Sequence, residues 1–292
     1  MSLSEPTKTD LSAASRWLPA AFRRLFAGIG RLGPATALAY GVLALALLWA
    51  IVPGLFSPYD PIVSIPGEQL RPPSAEHFFG TDSLGRDLYS RVVHGAVHSL
   101  SGALVATVFG LVVGSALGLV SGSLGGVVDA VIMRFVDVLL SIPGLLLALS
   151  IIILLGFGTL NASIAVGASA IAAFARLMRS EVIRVRQSDY VEAAIGSGGA
   201  LHKVLLRHVL PNSLTSVVAF SALQFGSAIL QLSTLSFLGY GAPPPTPEWG
   251  LLVSEGRNYV ATAWWLTAAP GAVVVIIVLA ANQISKSIGG RG

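Results

Sequence analysis

The sequence predicts an all-α, polytopic membrane protein with six transmembrane helices. Three observations carry that expectation. Hydrophobic residues make up 54% of the 292-residue chain and charged residues only 11%. Mean hydropathy is +0.77, and the apolar residues gather into long runs. A soluble domain of this composition would expose far too much apolar surface. A helix needs roughly 20 apolar residues to cross the hydrocarbon core, and runs of that kind fall near residues 35–56, 99–122, 131–155, 160–178, 213–236 and 266–285. Backbone polar groups in lipid are satisfied only within a helix or round a closed barrel. These unbroken runs lack the alternation of barrel strands, so they are helices.

The N-terminal tail, residues 1–34, carries Lys8, Arg16, Arg23, Arg24 and Arg31 against Glu5 and Asp10. The apolar run after it is longer than a signal-peptide core and no small-x-small cleavage pattern follows, so residues 35–56 are expected as a retained first helix. With six spans both termini share one side, which the positive-inside rule assigns to the cytoplasm. The loop at 176–212 agrees, with Arg176, Arg179, Arg184, Arg186, Lys203 and Arg207 against Glu181, Asp189 and Glu192. The loops at 57–98 and 237–265 carry an acidic excess and are expected outside, and the core domain, residues 99–285, ends in a cytoplasmic tail at 286–292. The basic pI thus reflects topology, and no nucleic-acid partner is needed to explain it. Cysteine is absent, which excludes disulfides, thiolate metal sites and cysteine nucleophiles.

Within the second expected span, Gly110, Gly114, Gly118 and Gly122 recur every four residues. They form a slowly drifting stripe where another helix packs closely, either within this chain or from a second subunit. In the third, Pro143 predicts a kink. Arg134 and Asp137, three apart, are placed to pair on one face, either neutralising charge at the membrane boundary or acting as a gate. Gln224, Ser227 and Gln231 share a face of the fifth span, where they either line a water-filled route or hydrogen-bond to neighbouring helices. His94 and His98 near Asp87 make a poor metal site, since no third ligand is evident and Arg91 is expected beside Asp87. No metal is expected.

The polar segment DYVEAAIGSGGALHKVLLRHVLPN, residues 189–212, separates two apolar stretches. Asp189 three residues ahead of Glu192 has the spacing of a capping box, so a short helix is expected to start there. Gly196, Gly198 and Gly199 then give a hinge. After a second helical run at 202–208, Leu210-Pro211 is expected to mark the start of the next span, because proline suits an opening turn.

Glu192-Ala193-Ala194, then Gly198, then Leu210-Pro211 resembles the EAA loop of the inner-membrane subunits of binding-protein-dependent ATP-driven importers. His208 stands where the general pattern has an aliphatic residue, and Arg207-His208-Val209-Leu210-Pro211-Asn212 is similar to the form found in peptide and nickel permeases. Two further segments resemble the C-type dipeptide and oligopeptide permease subunit: Phe79-Gly80-Thr81-Asp82-Ser83-Leu84-Gly85-Arg86-Asp87 with Ser90-Arg91, and Pro243-Pro244-Pro245 through Trp249-Gly250. The likeness covers roughly residues 70–285. It implies a type I ABC importer transmembrane fold in a bacterial inner membrane. It also implies a second, homologous permease, two ATPase subunits or domains that bind ATP and magnesium, and an extracytoplasmic substrate-binding protein. The implied substrate is a peptide, with nickel or another small ligand as the alternative. Residues 189–211 then form a coupling loop, and the role of engaging the ATPase falls on Glu192, Ala193, Ala194, Gly198, Leu210 and Pro211.

Other functions fit less well. A membrane hydrolase needs a nucleophile or a metal set, and the chain has no HExxH helix, no cysteine and no convincing Ser-His pair within its spans. There is no GxxxxGK[ST] loop, so any ATP hydrolysis belongs to another polypeptide. An ion-coupled secondary transporter remains the alternative, but it calls for carboxylates near the bilayer midplane and repeated halves, and neither is apparent.

Overall fold

The structure is a computed structural model and describes residues 33–197 and 200–289. The cations of the N-terminal tail and the expected coupling residue Gly198 lie outside the described residues. The described chain is helical, with no named strand. Helix α1, Pro34–Ile51, is followed by the single turn α2, Pro53–Phe56. Pro53 has no amide to continue the ladder, so the expected span 35–56 divides there.

Helix α3, Leu88–Leu124, is 37 residues long and starts well before residue 99. The expected loop 57–98 is therefore too long at its far end. Hydropathy missed these first turns because they contain Arg91, His94 and His98, whereas Asp87 gives them a proper start by accepting a 2.7 Å hydrogen bond from the Ser90 amide. At 1.5 Å per residue, α3 extends about 55 Å, well beyond the hydrocarbon core.

The third expected span is two helices, α4, Gly126–Ser141, and α5, Gly144–Leu155, bent by 96° at their junction. The break is sharper than the expected kink. Ile142 precedes Pro143 and is driven out of the helical region, to φ −94 and ψ 128. Helix α6, Thr159–Arg186, then runs beside α3 in the same direction. Gly102 of α3 faces Ser163 and Thr159, and Gly122 of α3 faces Arg179 and Val182. Parallel neighbours require the chain to return between them. The bent α4–α5 pair makes that return, and counted as one span it brings the five long apolar helices to six.

Helix α7 spans Asp189–Gly196 and α8 spans Leu201–Val204. A π-helical turn, Leu205–Val209, joins α8 without interruption to α9, Leu210–Phe237. Leu210-Pro211 consequently lies inside a continuous helix rather than at the start of a span. The Leu210 amide reaches back to the Leu205 carbonyl, and this wider turn accommodates a proline that cannot donate. After α9 the chain forms α10, Trp249–Gly256, and α11, Trp265–Gly289.

Helices α1 and α11 pack together, with the Gln283 Nε2 donating to Thr36 Oγ1 at 3.2 Å. Both described ends of the chain thus lie at the end of the bundle that carries α7. The central core joins Ala96, Ala103 and Ala106 of α3, Ala162, Ala165 and Val166 of α6, and Ala228, Ile229 and Leu232 of α9. Alanine is its commonest member, as expected where, in lipid, close van der Waals approach replaces the hydrophobic drive.

Candidate functional site

Helix α7 hangs from α6 by a two-residue link. Its first amides, Val191 and Glu192, bond to the Ser188 carbonyl, so Ser188 takes the capping position and Asp189 is already helical. The expected Asp189–Glu192 capping box is therefore not the device that starts this helix. Val191 is fully buried against Met178, Val182 and Val185 of α6 and Val204 and Val209 of the following turns, with Ala194 packed on the same cluster. Glu192 and Ala193 point out to the surface, as do Tyr190, Lys203, Leu206 and Arg207. The helix is thus anchored by one valine and presents an open, mixed polar and apolar face. Leu210 packs partly on the same cluster, while Pro211 is exposed.

Beside this end, α3, α4 and α6 meet in a set of ionic contacts. Arg179 donates through Nε and Nη2 to the two oxygens of Asp129 at 2.5 and 2.6 Å, and Ser121 donates to the same carboxylate. Seven residues on, Arg186 donates to the Gly122 and Ser123 carbonyls at 2.9 and 2.6 Å. That places a cation on the unsatisfied carbonyls at the end of α3. Asp137, expected to pair with Arg134, instead receives a 2.6 Å bond from Arg176. Arg134 is exposed and joins no ion pair among the described residues. The pairing fails because α6 passes close enough to compete, and an inter-helix cation lies nearer than the local one.

The glycine stripe lies against α6 of the same chain. A Cβ at Gly114 would come within 2.6 Å of the Phe174 Cβ, at Gly118 within 2.7 Å of the Met178 Cβ, and at Gly122 within 2.9 Å of the Val182 Cβ. Gly110 faces Gly167 and Ala170. No larger residue permits this approach.

Gln224 and Gln231 line a narrow crevice between α3, α6 and α9, together with Thr107 and Val166, with a cavity volume of only about 10 Å³, roughly that of one water. Ser227 is half-buried on α9 and does not line it. The Ser169 hydroxyl donates to Gln231 Oε1 at 3.3 Å. Gly144, the first residue of α5 after the break, faces both Ser169 and Gln231. The α4–α5 junction therefore lies against Gln231, one of the residues that line the crevice. Thr107 also borders a wider apolar groove, about 230 Å³, on the side of α1 and α11.

At the opposite end, the segment 65–87 folds over the start of α3. Asp82 accepts from Arg86 Nε at 2.7 Å and Arg91 Nη1 at 2.6 Å, and Arg91 Nη1 also lies 2.9 Å from Glu255. Arg91 has a fully buried side chain. Burial pushes the Asp82 carboxyl up, but the Arg86 amide and the two guanidiniums outweigh it and hold the group below its ordinary value. Arg91 was expected beside Asp87; Asp87 is instead occupied by the cap and by His77 Nδ1 at 2.8 Å. His94 bonds to the Ser90 carbonyl, and no cluster of three metal-ligating side chains occurs among the described residues.

Sequence reasoning overlooked Glu248. This buried carboxylate caps α10 by accepting from the Gly250 and Leu251 amides, and it takes a third bond from Ser99 of α3. Trp249 adds an indole bond to the Val92 carbonyl at 2.9 Å. The available signal was an acidic residue directly before an apolar helix.

Residues 114–290 match the family described as binding-protein-dependent transport system inner membrane component. The chain is 40% identical over 255 residues, 87% of its length and 86% of the relative's, to the probable D,D-dipeptide transport system permease protein DdpC of Escherichia coli. It is 38% identical over 80% of its length to the di/tripeptide transport system permease protein DppC of Pseudomonas aeruginosa, covering 78% of that protein. It is 44% identical over 74% of its length to the glutathione transport system permease protein GsiD of Shigella flexneri, covering 71% of it. Among solved structures, a chain of the MetNI methionine ABC transporter in inward-facing conformations superposes with a TM-score of 0.55 at 17% identity, covering 68% of this chain and 96% of that one. A chain of an amino acid ABC transporter solved with histidines gives 0.54 at 14% identity, covering 69% and 94%. These two likenesses show the fold, that of the type I ABC importer permeases.

Proposed function

This chain belongs to the family of binding-protein-dependent transport system inner membrane components, and from that premise we propose that it is the permease subunit of an ATP-driven importer of short peptides. The observation that carries the coupling role is α7, a short helix anchored by Val191 with Glu192 and Ala193 held outward. Such a helix fits a groove on a separate ATPase, and Glu192, Ala193, Ala194, Gly198, Leu210 and Pro211 are the residues proposed to serve that contact. Peptide as substrate class rests on relatives named for D,D-dipeptides, di- and tripeptides and glutathione. The chain itself carries no phosphate-binding loop, so ATP and magnesium are assigned to partner subunits. A homologous permease completes the pathway, and an extracytoplasmic binding protein delivers the ligand. The cationic excess of 1–34 and 176–212 supports a multi-pass inner-membrane protein with α7 and both termini in the cytoplasm.

In this mechanism nucleotide-driven closure of the ATPases moves α7, and the helices attached to it shift the crevice at Gln224 and Gln231 between the two faces. The test is reconstitution with the partner subunits in proteoliposomes, measuring ATP-dependent uptake of labelled di- and tripeptides. Glu192→Ala, an exposed change that leaves the fold intact, is expected to lower uptake about tenfold, and Gly198→Pro to do the same. Uptake without any ATPase, or undiminished coupling in both variants, would overturn the assignment.

A further inference from the structure

The ionic contacts between α3, α4 and α6 lie outside the residues to which a role has been given above. Arg179 and Arg186 are seven residues apart, so they occupy one face of α6, and α6 leads within two residues into α7. Arg186 grips the last carbonyls of α3, and Arg179 grips Asp129 in the first turn of α4. Between the two grips the chain turns at Gly125 and Gly126, both with positive φ, and a Cβ at either would meet nothing within 4 Å. The glycines therefore set no angle of their own. Val136 of α4, fully buried against Ala172 and Ala175 of α6, holds the helix alongside, and the Asp129 carboxylate fixes its first turn, because it is bound in fork geometry by a guanidinium on a different helix.

We propose that Asp129, Arg179 and Arg186 are positioning residues that lock the α3–α4 corner to α6, so that displacement of α7 moves α4 and, through the α4–α5 break, the Gly144 edge of the crevice at Gln231. The inference rests on the importer reading above. It gives the glycine turn and the clamp a joint purpose: a pliant corner whose direction is set by α6. The lever has two attachments, one to a helix end and one to a helix start, on either side of the turn.

The test uses the reconstituted complex with both readouts, binding-protein-stimulated ATP hydrolysis and peptide uptake. Asp129→Asn and Arg179→Gln are each expected to retain hydrolysis while peptide transported per ATP falls about fivefold. The exchanged pair Asp129→Arg with Arg179→Asp is expected to recover most of that ratio. A parallel loss of hydrolysis and uptake, or an unchanged ratio, overturns the proposal. Because cysteine is absent from the chain, Asp129→Cys with Arg179→Cys provides a second arm that does not depend on restoring charge. Bridging the two thiols with a short bifunctional thiosulfonate is expected to restore the ratio; abolition of uptake on bridging would show that the helices must part during the cycle and would also overturn it. If the unmodified complex neither hydrolyses ATP nor takes up peptide, the importer reading itself fails, an outcome distinct from both.

Discussion

Single side chains set much of this structure where charge is buried. Asp82 accepts from two guanidiniums and from the Leu84 and Arg86 amides, so it binds its proton less readily folded than unfolded. A carboxyl with a depressed folded pKa contributes stability that is complete above its unfolded value, about pH 4, and is lost as pH falls through the lower folded value. Thermal unfolding in detergent should therefore be insensitive to this group between pH 5 and 8, as neutral conditions leave it charged in both states. Below about pH 4 the midpoint should drop, and the drop should be smaller in Asp82→Asn, whose side chain cannot titrate. Equal acid sensitivity in the two proteins would remove Asp82 from the account. The motif carrying Asp82 was legible in the sequence, but its partners were not. Arg91 was assigned to Asp87 because the two are close in sequence. The structure pairs it with Asp82 and also with Glu255, far along the chain, a second partner that only the folding of α10 onto α3 supplies.

Among the helices, what the sequence made legible followed hydropathy and proline. The six apolar runs correspond to five long helices and one bent pair, and the glycine repeat lies on the face of α3 that meets α6, a partner only the fold supplies. Boundaries failed where polar residues continue a helix past the lipid, as at Arg91 and His94 in α3, or where a proline acts on its neighbour, as at Ile142. The wide turn before Leu210 was not legible, because a π-helical register has no composition of its own. The break at Pro143 is the element with the clearest consequence. Pro143→Ala returns an amide to the ladder and frees Ile142 to become helical, a change worth up to about 3 kcal/mol towards a continuous helix. Straightening would draw Gly144 away from Gln231 and Ser169. Peptide uptake by the reconstituted complex is expected to fall about tenfold, with insertion into the membrane unchanged. Normal uptake would mean that the bend serves packing alone.

For the whole molecule, the two ends differ in kind. One is closed by buried polar contacts, with Glu248, Trp249, Arg91 and Asp82 fastening loops to α3. The other presents α7 and the clamp on α6, with arginines that contact helix ends and an exposed surface around Glu192. A permease that alternates must convert change at the second end into a change of access at the crevice between them. Gln224, Ser227 and Gln231 share a helical face, which suits either pathway lining or helix–helix bonding. The two glutamines lie beside Thr107, and Gln231, which faces Gly144, accepts only a long 3.3 Å bond from Ser169, so access of water to them is the property to measure. The absence of cysteine makes the distinction measurable. Gln224→Cys and Gln231→Cys should each react with a membrane-impermeant thiol reagent in at least one nucleotide state of the assembled transporter, and the reacting state should change when a non-hydrolysable ATP analogue is added. Leu45→Cys, on the exposed apolar face of α1, should stay unreactive in lipid. Complete protection of both glutamine positions in every state would assign them to helix packing and place the route elsewhere, at the surface shared with the second permease.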